Sequence, residues 1–310
     1  MDVCIDGKKS YSSQVKKAAN CAIYTALMLI LVKGFAWWET GSVSMLASIV
    51  DSTLDLAASF LNMLILRFAL MPADDNHSFG HGKAESLASL IQSAFISGSA
   101  VFLLLQGIHR FNDPQPLTNQ TLGIAVIWFS IVITSALVYY QSRIIHKTGS
   151  PAIKADRLHY QTDIYMNVAI LISLVFTAFD FILADAIGAI IIAVYILVSA
   201  LKMLFEAVQL LLDRALPEAE IRQIEQIILS DKRILGFHDL RTRQSGAIRF
   251  VQFDLELDDH LSFLEAHDIT EQLEQRLRQA FARVDIVIHH EPTSVVQAEK
   301  LENAKLDQMQ

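Results

Sequence analysis

The 310-residue chain is 53% hydrophobic and 19% charged, against about 25% charged in ordinary soluble domains, so it carries more apolar material than a water-facing surface accommodates. A soluble monomer is therefore not expected. Its net charge of −8, with no clustered basic face, argues against a nucleic-acid partner. Cys4 and Cys21 are the only cysteines, too few for a thiolate cluster or a disulfide framework.

The first segment, 1–17, carries Lys8, Lys9, Lys16 and Lys17 and reads as a cytosolic tail. No small-residue cleavage site follows the first apolar run, so that run reads as a retained membrane helix, not a signal peptide. A bilayer span needs about 20 mostly apolar residues. Six runs qualify, 18–38, 43–70, 84–108, 120–141, 157–180 and 185–210, and define a transmembrane domain over 18–210. With the N-terminus inside, the inner loops also hold Lys83, Arg143, Lys147, Lys154 and Arg157, whereas the outer loops hold only Arg110. The positive-inside rule then puts both termini in the cytosol. The outer connections, 39–42, 112–120 and 180–185, are too short for a domain, so everything soluble is expected on the cytosolic side.

Residues 1–212 hold 13 Lys+Arg against 14 Asp+Glu, and 213–310 hold 12 against 19. That shift marks a soluble segment over 211–297. Its pattern is a helix (218–230), two alternating strands (237–243 and 248–257), a helix (265–281) and a strand (284–289), an αββαβ order that suits a small two-layer α+β domain. The polar stretch 298–310 has no periodicity and reads as a disordered tail.

The membrane segments contain residues that hydrocarbon does not tolerate cheaply. Asp51 and Asp55 in the second span, and His159 and Asp163 in the fifth, are each spaced i, i+4 and project from one helix face. An intramembrane aspartate costs roughly 2.5–3.5 kcal/mol on insertion scales, so three demand compensation. One reading is an ion-pair or hydrogen-bond network with Lys33, a single cation against three acids. The other is a divalent cation held by three carboxylates and an imidazole, a tetrahedral set that suits Zn(II) and accepts Fe(II), Mn(II) or Cd(II). Asp51 and Asp55 lie mid-span while His159 and Asp163 lie early in theirs, and a fifth helix starting near Pro151 removes much of the mismatch. The two spans run in opposite directions with similar elements, a weak sign of inverted repeats around a midplane site.

Asp74, His77 and His81, in the inner loop after the second span, form a second metal-capable group, or a solvated loop whose histidines merely titrate. In the soluble segment His238, Asp254, His267, His289, His290 and Glu291 fall on strand ends and a helix start, by design or by chance. No GxxxxGK[ST] loop is present, so nucleotide is not an evident fuel, and neither HExxH nor GxSxG appears. A secondary metal transporter is the strongest reading. A membrane metalloenzyme needs an open coordination position, which four protein ligands leave no room for, and a metal sensor would bind without flux.

The run 41–47 leading to Asp51 and Asp55, HSFGHGKAES at 77–86, His159-Tyr160-Gln161-Thr162-Asp163, Leu212-Asp213-Arg214 and HDLRTRQSG at 238–246 together resemble the cation diffusion facilitator family. They are most like its bacterial zinc and ferrous-iron efflux branch, over about residues 15–297. The resemblance implies six helices, a metallochaperone-like cytosolic domain, a homodimer in the bacterial inner membrane, and exchange of divalent metal, zinc first, for protons. It implies a transport site at Asp51, Asp55, His159 and Asp163 and a loop site at Asp74, His77 and His81. It implies a structural binuclear zinc site with ligands at His238, His267 and His289, and an interprotomer salt bridge of Lys83 with Asp213. Asp254 stands where relatives usually carry His, and Glu291 where they carry Asp. Both bind through oxygen, but the first change favours harder ions.

Overall fold

The computed structural model describes residues 2–41, 43–112, 121–177, 184–281, 283–298 and 301. Most of the expected outer connections at 112–120 and 180–185, and most of the expected tail, lie outside these residues. Two compact units result, one over 10–211 and one over 212–310 together with 1–9.

The first unit is built from α1 (Asp2–Thr40) beyond residue 9, α2 (Val43–Ala69), α3 (Lys83–Asn112), α4 (Thr121–Thr148), α5 (Pro151–Thr177) and α6 (Ala184–Leu211). Helix α1 runs unbroken through the segment expected as a tail, with Tyr11 and Val15 buried. No proline interrupts it, and the Tyr11 hydroxyl donates to the buried Glu85 carboxylate at 2.7 Å. Ser150, just ahead of α5, donates to the same carboxylate, so Glu85 fastens α1 and α3 to the start of α5. Among the described residues, five of the six helices are long and apolar enough to cross a membrane, and α5 is not. Its first half carries Lys154, Asp156, Arg157, His159 and Asp163, and residues 178–180, the end of the expected span, are not described.

The helices are held by small residues at their contacts, which let backbones approach where lipid offers no hydrophobic drive. Ile96 and Ala100 of α3, Leu158 of α5, and Ile196 and Ala200 of α6 form one buried cluster. Ala22, Leu137 and Tyr160 join α1, α4 and α5. At Gly107 of α3 a Cβ would sit 2.8 Å from Ile190 Cγ1 of α6, so only glycine permits that crossing. Large apolar side chains such as Leu31, Phe102, Val132, Ile191 and Phe205 face outward, as a lipid-facing surface requires.

The second unit has the expected αββαβ order: α7 (Glu218–Leu229), β1 (Gly236–Ser245), β2 (Ile248–Leu257), α8 (Phe263–Ala280) and β3 (Val284–Pro292). Strand β2 is central, antiparallel to β1 and parallel to β3. Val251, Phe253, Leu255 and Leu257 alternate along β2 and pack with Ile224 and Ile228 of α7 and Ile269, Leu273 and Leu277 of α8. The opposite sheet face therefore carries Asp254 and Glu256, because side chains alternate with period two. Gly246, φ +55°, takes the left-handed position that the two-residue β1–β2 turn needs. Helix α8 starts two residues before the expected 265, where Ser262 and Glu265 form a reciprocal capping box. The Ser262 hydroxyl beside Glu265 holds that carboxyl below its usual range.

Candidate metal centres

In the membrane unit, α2 and α5 bring Asp55 and His159 face to face, with His159 Nε2 3.1 Å from Asp55 Oδ1. Asp163, one turn along α5 from His159, completes a group whose ligand atoms all lie within 4.8 Å of one another. Helix α5 begins at Pro151, the start that removes the mismatch in depth between the two residue pairs. Asp51 is not part of this close group. It stands one turn away on α2 and lines one cavity with Asp55 and His159. Lys33 donates to Ser52 Oγ at 2.6 Å and to the Ser48 carbonyl at 3.4 Å, and among the described residues it pairs with none of the three acids.

A cavity of about 280 Å³ adjoins these residues, lined by α2 and α3 and by His159. It extends along α2 from Asp51 to Ile65 and along α3 from Ser99 to Ala88, toward the end of the unit that carries the α2–α3 loop. Sequence reasoning missed the polar groups behind it. Asp156, fully buried, accepts from Gln141 Nε2 of α4 at 2.7 Å, and Ser59 of α2 bonds the Tyr160 hydroxyl at 2.9 Å. These links tie α4 and α2 to α5 on either side of His159. Asp156 stood in the sequence three residues before His159, hence on its face, but its partner is 15 residues away across a loop and left no local signal.

The α2–α3 loop gathers all three of its expected residues. His77 Nδ1 lies 3.1 Å and His81 Nε2 3.4 Å from the two Asp74 oxygens. Asp74 accepts the backbone N–H groups of His77 at 2.7 Å and Asn76 at 3.0 Å, and chiefly the first holds its carboxyl below the usual range. His81 Nδ1 lies 3.2 Å from the Pro72 carbonyl. Donation there leaves Nε2 as the free acceptor, the second contact that commonly orients a metal-ligating histidine.

In the soluble unit, strand register builds the third group. His238 stands opposite Asp254, and Asp254 beside His289, in one row across three strands; Glu256 and Glu291 form the next row. His238 Nε2 is 3.4 Å from Glu291 Oε2 and 3.9 Å from Asp254 Oδ2, and these three make a group within 4.8 Å. His289 Nδ1 adjoins it, 3.6 Å from Asp254 and 3.4 Å from Glu291. Imidazole and carboxylate donors at these separations fit a divalent ion such as zinc. Glu256, 3.3 Å from His238 Nδ1, was missed, although period-two alternation places it on the face of Asp254. A bulge follows His238, with Asp239 at φ +53°, which turns the strand beside the group. His267 lies apart, exposed on α8, and His290, on the other sheet face, contacts Phe263. Lys83 donates to the Leu211 carbonyl at 3.3 Å, and Asp213 accepts from Arg243 at 3.4 Å.

Residues 21–212 match the family described as the cation efflux transmembrane domain, and 216–293 match the cation efflux protein cytoplasmic domain. Cation-efflux pumps called FieF from Yersinia enterocolitica serotype O:8 and Yersinia pestis strain Pestoides F are each 51% identical over 290 residues, 94% of this chain and 97% of theirs. A solved structure of the transporter CzrB is 35% identical over 25% of this chain and 96% of its own, at a TM-score of 0.24.

Proposed function

The chain belongs to the cation efflux family of multi-pass membrane transporters, and on that premise we propose that it exports divalent transition-metal ions from the cytosol in exchange for protons. Zinc is the principal substrate, with cadmium and ferrous iron alongside. The protein works as a homodimer by alternating access in the bacterial inner membrane, with both termini cytosolic. The organisation read from the sequence is part of the proposal: a cytosolic tail at 1–17, six spans within 18–210, a metal-binding dimerisation domain over 211–297 and a tail at 298–310. The observation that carries it is the convergence of Asp55, His159 and Asp163 beside the α2–α3 cavity, with Asp51 one turn away on the same wall.

Metal binding needs ionised carboxylates and a neutral imidazole, so capture of the ion releases protons from the ligands. When rocking exposes the site to the outside, protons compete for the same atoms and the ion leaves. Mixed nitrogen and oxygen donors favour zinc without excluding iron or cadmium. The loop group and the sheet-face group bind further ions; the latter holds structural zinc through His238, Asp254, His289 and Glu291 and supports dimerisation, alongside a Lys83–Asp213 bridge between protomers.

The reading is tested by zinc tolerance in cells lacking their own exporters. Expression of the wild type restores growth at high zinc and Asp163→Ala does not; restoration by both, at equal membrane levels, contradicts it.

A further inference from the structure

Helices α4 and α5 are joined through Gly149 and Ser150 alone, so residues equally far from that loop stand at one level. Arg157 Nη1 of α5 donates to Ser142 Oγ of α4 at 3.4 Å across that level. The Arg157 side chain is partly buried and poorly satisfied. Its Nε is enclosed without a partner, its one bond goes to a hydroxyl that itself donates to the Val138 carbonyl, and Nη2 is unbonded and not enclosed. Asp156, the adjacent acid, turns inward to Gln141, and among the described residues Arg157 pairs with no carboxylate. Next to Ser142, Arg143 is exposed, donates to the Tyr139 hydroxyl and lies 4.7 Å over that ring. It too pairs with no carboxylate among the described residues. Two guanidinium groups at one level are therefore met by neutral oxygens only.

At 1.5 Å per residue, Arg143 and Arg157 stand roughly 13 and 10 Å from the midpoints of their helices. That is just inside the edge of a hydrocarbon core of about 15 Å half-thickness, and arginine stems carry the charged heads the remaining distance. Three turns further toward the bilayer centre, on the same faces as the two arginines, Val132 of α4 and Val168 of α5 are exposed. Each arginine thus begins a strip whose far end is apolar and faces outward.

We propose that the outer seam between α4 and α5 binds one anionic phospholipid, its phosphate between Arg157 and Arg143 and its acyl chains along the strips toward Val168 and Val132. A guanidinium fork matches a phosphate in shape as well as charge. A partly desolvated cation without a counter-charge is costly, and lipid phosphates are the anions present at this depth. Two arginines against one phosphodiester leave an excess of positive charge. The site therefore favours a net-negative headgroup over a zwitterionic one, whose own amine adds to that excess.

The test is native mass spectrometry of the full-length protein in detergent, titrated with phosphatidylglycerol or with phosphatidylcholine of the same chains. The wild type is expected to retain one phosphatidylglycerol per protomer in preference to phosphatidylcholine. Arg157→Gln is expected to weaken this binding about tenfold or more, the loss of a charge-assisted contact, and Arg143→Gln about fivefold. Lys232→Gln, which removes the same charge from an exposed position in the soluble unit, is expected to leave it unchanged. Equal retention of the two lipids, or a loss in Lys232→Gln matching that in Arg157→Gln, overturns the site and leaves diffuse charge attraction. Displacement of phosphatidylglycerol by an equal concentration of inorganic phosphate makes this a small-anion site and overturns the lipid. If Arg157→Gln aggregates, Arg157→Lys keeps the charge without the fork and is expected to bind about threefold more weakly, read beside Arg143→Gln. Wild-type affinity in both of those variants also overturns the site.

Discussion

Asp55→Asn replaces a carboxylate by a neutral group of the same shape and so isolates charge from packing. Asp55 lies 3.1 Å from His159 Nε2 and is one of three residues whose ligand atoms fall within 4.8 Å. The amide oxygen still reaches a bound ion, but the charge-assisted part of the contact, about 1.5–3 kcal/mol, is lost. At about 1.4 kcal/mol per tenfold, zinc affinity at this group is expected to fall roughly 10- to 150-fold. Because an ionised carboxylate no longer has to form, the dependence of log Kd on pH also becomes shallower, by up to one proton. Competition against a zinc-chelating dye over pH 6–8, on protein stripped of metal, measures both, and thermal unfolding in chelator checks that the fold is intact. An affinity within about twofold of wild type, with the same pH slope, would refute the assignment of Asp55 as a ligand.

Three further outcomes follow from other parts of the molecule. Asp231 receives Arg233 and Arg276, each at 2.7 Å, and chiefly the Arg233 guanidinium holds its carboxyl well below the usual range. The folded pKa is depressed, so this stabilisation is present above the ordinary carboxylate pKa of about 3.9 and is lost on acidification through the folded value. Asp231→Asn should therefore destabilise the protein by about 1–3 kcal/mol at pH 7, with the gap to wild type closing in acid-unfolding curves; a pH-independent gap would point to packing. Gly107→Val should cost about 1–3 kcal/mol by overpacking, because even a Cβ meets Ile190 Cγ1 at 2.8 Å; an unchanged melting temperature in detergent contradicts the close α3–α6 crossing. Asp254→His should tighten zinc relative to manganese at the sheet-face group by about tenfold, and competition titration reads whether the preference shifts.

Much of this was legible because membranes punish exceptions. The run lengths gave six helices, and the i, i+4 spacing of Asp51 with Asp55 and His159 with Asp163 marked two polar faces whose facing pair, Asp55 and His159, the fold brings into contact. The period-two pattern of β2 likewise foretold a buried Phe253 and an outward Asp254. What stayed hidden depends on relations between distant segments. The start of α1 depends on Tyr11 finding Glu85 in another helix. The bulge after His238 depends on Asp239 adopting a left-handed backbone, which asparagine and aspartate tolerate but do not announce. The buried Asp156–Gln141 pair needed the packing of α4 on α5. Asp51 was expected with the other three ligands and stands one turn off, a difference of side-chain reach that spacing alone does not resolve.

The central claim is that cation export is coupled to protons at the α2–α5 group. Its most direct test places the protein in proteoliposomes with an imposed pH gradient and records zinc entry and internal pH in the same vesicles, beside Asp51→Ala. The account predicts zinc movement with an opposing proton flux in the wild type and neither in the variant. Zinc movement without a pH change, or undiminished exchange in Asp51→Ala, would contradict it.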